Sequence, residues 1–151
     1  FIFVAIMARK KITIVPVELI ELEDQNFHIL LNSQLSGNNW GKWVIDTGAS
    51  KTVFDINLKN HFKVVEMNNT EIQSAGIGEG NIETQVGMLH SINIGALHLI
   101  DEPVALINLK FINELYSKFS DEQIVGLIGS DFLVKYQAII NYKKKELKLY
   151  Y

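Results

Sequence analysis

Residues Val44-Ile45-Asp46-Thr47-Gly48-Ala49-Ser50 hold the chemistry that this chain most plainly offers. An apolar run drives straight into an acid, and a small-residue turn follows at once. A carboxylate at the end of a buried strand costs free energy unless it is hydrogen-bonded, paired, or held there for proton transfer. The small residues let the backbone turn tightly and bring its N–H groups towards the carboxylate. Two readings stay open at this point. Asp46 either caps backbone N–H groups in a strand-end turn or is an acid kept for chemistry.

The elements that must position this acid can be read from hydrophobic pattern. Lys11 to Leu22 alternates and is rich in β-branched residues, with Pro16 inside, which predicts an edge strand. Phe27 to Leu35 and Trp40 to Ile45 predict a hairpin about Ser36-Gly37-Asn38-Asn39. Beyond the acidic loop, Thr52 to Asp55 predicts a short strand, Ile56 to Phe62 a helical turn, and Val64 to Met67 an extended piece. A second hairpin is expected with arms 71–75 and 81–94 and a tip at Gly76-Ile77-Gly78-Glu79-Gly80. Residues 92–99 read as strand, glycine turn, strand, and Val104 to Ile107 as another apolar strand. Leu109, Ile112, Leu115, Tyr116 and Phe119 have helical spacing, which predicts an amphipathic helix over 108–120. Ile124 to Ile128 reads as a buried strand, with Ser130 as N-cap of a short helix through Tyr136. Ala138–Tyr142 and Glu146–Tyr150 form a closing hairpin about Lys143-Lys144-Lys145. The count is about nine to eleven strands and two or three short helices, with no internal repeat.

Asp46-Thr47-Gly48-Ala49 after an apolar strand resembles the active-site loop of aspartic proteases, and the Ala after the Gly is similar to the retroviral (retropepsin) branch. Leu127-Ile128-Gly129, followed by Ser130-Asp131-Phe132-Leu133, resembles the segment that opens that family's C-terminal helix. The two motifs lie about 80 residues apart in the family's order, and the resemblance covers roughly Phe27 to Tyr150. It implies a mainly β chain: a closed antiparallel β-barrel-like acid-protease (retropepsin-like) fold with two or three short helices.

The resemblance also implies roles. Asp46 is the expected catalytic residue, both acid and base. Thr47 is expected to hydrogen-bond across a dimer axis, and Gly48 to offer its N–H to the carboxylate. Ala49 stands where the pepsin-like branch has a serine, which implies a pH optimum of roughly 5–6, above that of the serine-bearing branch. Gly76, Ile77, Gly78, Glu79 and Gly80 are expected to form a flap over bound peptide, against the alternative of a plain surface turn. Leu127, Ile128 and Gly129 are expected to pack behind the loop. Trp43, Val53, Ile77 and Ile128 are expected to line an apolar substrate groove.

Hydrolysis by carboxylates needs two of them about one water, one ionised and one protonated. Two carboxyls a few ångströms apart arrange this themselves, since both cannot ionise cheaply, and they titrate as a pair. This chain has one Asp-Thr-Gly, because Asp24, Asp55, Asp101, Asp121 and Asp131 lack the Thr-Gly that follows Asp46. A symmetric homodimer with one Asp46 per subunit is therefore expected. Asp131 reads as a helix-start residue.

Bulk properties bound the rest. The 151 residues suit one domain with a sizeable core. Residues 11–151 are read as that domain, and 1–10 as an N-terminal extension or expression remnant, with Met7 a candidate start. Residues 1–6, if ordered, suit an added edge strand. The apolar run Phe1 to Met7 precedes its basic residues, unlike a signal peptide, and is too short to span a membrane. A net charge of −3 gives no nucleic-acid footprint. The chain has no cysteine, which excludes disulfides, zinc–thiolate sites and cysteine nucleophiles and fits a cytoplasmic setting. His28, His61, His90 and His98 have no ligand spacing, and no cofactor or metal is expected. Partners are expected to be a second copy and a peptide or protein substrate, with no nucleic acid or membrane. Besides an aspartic endopeptidase, two readings stay open: a silent peptide-binding or dimerisation module with the same fold, and a self-processing domain of a longer precursor.

Overall fold

The computed structural model describes residues 10–65 and 85–151. The expected glycine-rich tip Gly76–Gly80 and most of the N-terminal extension lie outside them. Among the described residues there are ten strands and two α-helices. The strands are β1 (Ile12–Glu23), β2 (Asn26–Leu35), β3 (Trp40–Ile45), β4 (Val53–Asp55), β5 (Phe62–Val65), β6 (Gln85–Ile94), β7 (Leu97–Ile107), β8 (Ile124–Ile128), β9 (Ile139–Asn141) and β10 (Glu146–Tyr150). The helices are α1 (Lys110–Tyr116) and α2 (Ser130–Lys135).

The strands run β5-β6-β7-β4-β8-β3-β2-β1-β10-β9, and β2 also pairs with β6 through Gln34↔Asn93 and Leu35↔Ile92. That last pairing closes six strands (β2, β3, β8, β4, β7 and β6) into a ring. The chain is thus mainly β with a closed barrel, as its sequence predicts. The ring is not antiparallel throughout: β3 runs parallel to β8, and β4 parallel to β7. Closing a ring removes most of the unpaired backbone edge that an open sheet would expose.

Alternation along each strand sends every second side chain inwards. The main core takes Leu31, Trp43, Phe54, Leu89, Leu106 and Ile128, one from each ring strand. Trp43 is fully buried and donates its indole N–H to Ser33 Oγ at 2.6 Å, so its single polar atom is satisfied. The residues between them point the other way. Leu30 and Val44 join Leu22, Leu109, Tyr116 and Ile124 in a second apolar cluster under α1.

Pro16 lies within β1, which is not an edge strand. Residues 12–16 pair with β10, and residues 17–23 pair with β2. The proline stands at the handover, where just one flank of the strand is paired, so its missing N–H leaves no gap in a ladder. Gly95 turns β6 into β7 at φ +57°, as the strand–glycine–strand pattern predicts. β7 is longer than the pattern showed, because its first half pairs with β6 although it alternates poorly.

α1 is shorter than the 108–120 spacing predicts. Ser117 Oγ donates to Glu114 O at 2.7 Å, and the chain leaves the helix in a turn. It must return at once to β8. Asn113 fastens that return, accepting from Ile124 N at 2.7 Å and donating to Ile124 O at 2.9 Å. The start of α1 is tied to β4 by the buried carboxylate of Asp55, which accepts from Asn57 N, Asn57 Nδ2 and Leu109 N. α2 begins at Ser130, but its N-cap position is Gly129, and Ser130 is already the first helical residue. Among the described residues no helix is long and apolar enough to cross a membrane.

His61 carries a pH signature of the fold. Its ring meets Phe54 edge-on at 6.4 Å, and its Nδ1 is 2.9 Å from Ser36 Oγ. Burial first, and His90 second, hold its imidazole below the ordinary value of 6.5. Below pH 6.5 the unfolded chain therefore binds more protons here than the folded one. Stability falls as pH drops through that window and is fully present above it. Urea midpoints measured at about pH 8 and about pH 5 should fall further for the wild type than for His61→Gln. Equal falls would remove His61 from the acid sensitivity.

Candidate active site

β3 delivers Asp46 to the end of the ring beside β8. Val44 pairs with Leu127 and Ile45 with Ile128 in parallel register, and Asp46 N donates to Ile128 O at 3.0 Å. The chain then leaves the sheet and turns. Ala49 N donates to Asp46 O at 3.2 Å, and Gly48 N donates to Asp46 Oδ1 at 3.0 Å. Asp46 is half-buried, Ala49 is half-buried, and Thr47 and Gly48 are exposed. One carboxylate oxygen is held by the loop at an open surface. A polar group in that state can exchange protons with whatever docks against it.

The second motif grips the same loop. Ser130 N donates to Ala49 O at 2.8 Å, and Gly129 N donates to Thr52 Oγ1 at 3.1 Å. Gly129 is pressed so close that a Cβ there would stand 2.6 Å from the backbone carbonyl of Lys51 and 2.9 Å from Ala49 O. Only hydrogen fits. Ile128 is fully buried in the main core, and Leu127 is half-buried beside the second cluster. Gly129 and Ser130 thus pack directly against the loop that follows Asp46.

Thr52 and Asp131 complete the clamp, and sequence reading assigned neither this task. Asp131 Oδ1 accepts from Thr52 N at 2.9 Å, from Thr52 Oγ1 at 2.8 Å and from Phe132 N at 2.8 Å. It lies in the first turn of α2, where its charge also suits the helix dipole, so the helix-start reading holds as well. A Thr six residues after the acid and an Asp two residues after the Gly were visible. Their meeting 79 residues apart was not. Thr52→Val keeps the shape but leaves Gly129 N–H and Asp131 each short of a partner. We expect a loss of about 1–3 kcal/mol in urea unfolding, largely restored by Thr52→Ser. Equal stability of Thr52→Val and wild type would show the clamp to be ornamental.

Trp43, Val53 and Ile128 do not line a groove. Each is at least 92% buried, with relative exposures of 0%, 8% and 0%. The reason is parity. Trp43 and Ile45 face the core, so Val44 and, one step past the strand end, Asp46 belong to the opposite face. The apolar residues that share the side of Asp46 are those of the second cluster, including Leu30, Tyr116 and Leu127. Ile77 lies outside the described residues.

Tyr116 is buried against that face, and its hydroxyl is 2.5 Å from His28 Nδ1. Burial first, and then the negative charge of Asp46, push the phenol up to about 12. It stays neutral wherever the protein works. Behind α2, burial raises the Glu102 carboxyl above its ordinary value. Lys135 opposes that shift and Asp131 adds to it.

Residues 33–132 match the model of a family described as aspartyl protease. That span is about two thirds of the chain, and the chain belongs to the aspartyl protease family. A search of curated proteins returned no match. Among solved structures, the chain is similar to a retropepsin-like aspartic protease from Rickettsia conorii, at 15% identity and a TM-score of 0.48, covering 94% of each chain. It is also similar to the retroviral protease-like domain of Ddi1 from Leishmania major, at 17% identity and a TM-score of 0.49, covering 80% of this chain and 86% of that one.

Proposed function

We propose that this chain is an aspartic endopeptidase that works as a homodimer, with Asp46 of each subunit about one shared water. The observation that carries the reading is the state of Asp46. It ends a core strand, keeps one oxygen on Gly48 N–H, and stands half-exposed on a loop clamped by Ile128, Gly129, Ser130 and Thr52. A rigid loop around a partly open acid is what a reacting group needs. A capping carboxylate alone would not need the clamp.

The chemistry follows from the pair. The ionised carboxylate takes a proton from water as the water attacks the peptide carbonyl, and the protonated one donates to the carbonyl oxygen. The tetrahedral intermediate then collapses, the nitrogen gains a proton, and the C–N bond breaks. Thr47, exposed at the turn, is proposed to brace the two loops against each other. Gly76 to Gly80 are proposed to cover the substrate, a peptide or unfolded protein segment with apolar side chains about the cut.

An unbiased peptide library incubated at pH values from about 3 to 8, and read by mass spectrometry, tests the reading. Cleavage strongest near pH 5–6 and lost with Asp46 is expected. Binding of peptides without any cut would favour the silent module.

A further inference from the structure

We propose that His28 and Tyr116 are positioning residues for the candidate active site, a hydrogen-bonded imidazole–phenol pair that braces the end of α1 against the strand end carrying Asp46. The inference rests on Asp46 being the reacting acid.

The register places the three together. β2 and β3 pair as Leu31↔Trp43 and Leu30↔Val44. The ladder ends at Leu30↔Val44, and His28 and Asp46 each lie two residues beyond it at the same end. Leu30 and Val44 face the second apolar cluster, so His28 and Asp46 stand on that same side. Tyr116, the last residue of α1, is buried in that cluster at 3% exposure. Its ring meets the His28 ring edge-on with centroids 5.6 Å apart.

A phenol taken out of water needs a partner. His28 Nδ1 is that partner, and His28 Nε2 lies 3.2 Å from Asn26 Oδ1. An amide oxygen only accepts. Neutral His28 therefore donates from Nε2 to Asn26 and accepts the Tyr116 hydroxyl proton at Nδ1. The hydroxyl proton is thereby held by Nδ1, and the ring is held in turn by Asn26. Burial first, and the charge of Asp46 second, raise this phenol.

Other charges on these elements are accounted for. Lys42 shares this face of β3 but is paired with Glu18 and Glu122. Glu21 and Glu23 on β1, and Lys110 and Glu114 on α1, are exposed. Among the described residues none of these bonds to His28 or Tyr116.

Kinetics and spectroscopy together test the pair. We expect Tyr116→Phe and His28→Leu each to lower kcat about tenfold with KM within about twofold. His28→Gln, whose amide oxygen accepts the same proton, should recover most of kcat. Imidazole nitrogen shifts should show Nδ1 as acceptor in wild type, and should differ in both Tyr116→Phe and Asp46→Asn. Wild-type kcat in Tyr116→Phe, with only a lower melting temperature, would make the pair purely structural. Identical His28 shifts in wild type and Asp46→Asn would overturn the coupling. If wild type cuts no peptide, the peptidase reading fails by itself, and those shifts still decide whether the pair senses the acid.

Discussion

Asp46→Asn is expected to lower kcat/KM for the proposed peptide cleavage by about 10⁴-fold while leaving the fold intact. The amide is nearly isosteric and keeps an oxygen for the Gly48 N–H, which now reaches Asp46 Oδ1 at 3.0 Å. The stability change should stay within about 0.5 kcal/mol. What is lost is the ability to take and return a proton. In a pair of acids, each member depends on the other, so one substitution per subunit removes both roles at once. The measurement is kcat/KM on any peptide the wild type cuts, beside a urea curve on the same preparation. Retained cleavage by a folded Asp46→Asn protein would remove Asp46 from the mechanism.

The second large effect is on stability. Gly129→Ala should cost about 2–4 kcal/mol and suppress cleavage with it. The added methyl would lie 2.6 Å from both the carbon and the oxygen of the Lys51 carbonyl, and 2.9 Å from Ala49 O. All three are backbone atoms of the loop that carries Asp46. A flexible side chain could swing aside, but this backbone is tied by Ser130 N to Ala49 O and by Thr52 to Asp131. Either β8 and α2 retreat from the loop or the loop itself moves, and both displace the acid. Urea unfolding and a cleavage assay on the folded fraction check the two parts separately. A variant as stable and as active as wild type would mean that the loop is not clamped as described.

The parts of this site that lie within a few residues were legible beforehand. An apolar run ending in Asp46, small residues after it, and a turn at Ser36 to Asn39 are local facts, and local geometry follows from them. The Leu127-Ile128-Gly129 element was legible through family resemblance. Long-range pairing was not. Nothing in Lys42 to Ile45 says that β3 runs parallel to β8, because both strands are short apolar runs that suit either direction. Nearness to the acid in sequence suggests a groove position for Trp43. Strand parity sends it to the core, and counting alternate residues back from Asp46 would have found this. The Thr52–Asp131 clamp and the His28–Tyr116 pair join residues 79 and 88 positions apart, and no spacing rule in one sequence reaches that far.

Subunit mixing tests the central claim most directly. Wild-type protein is mixed with increasing Asp46→Asn protein, allowed to exchange, and assayed at constant total concentration. A shared pair predicts that activity follows the square of the wild-type fraction, falling to about one quarter in an equal mixture, because a mixed dimer holds one acid. Activity that falls only in proportion to the wild-type fraction, to about one half, would mean that each subunit cuts by itself.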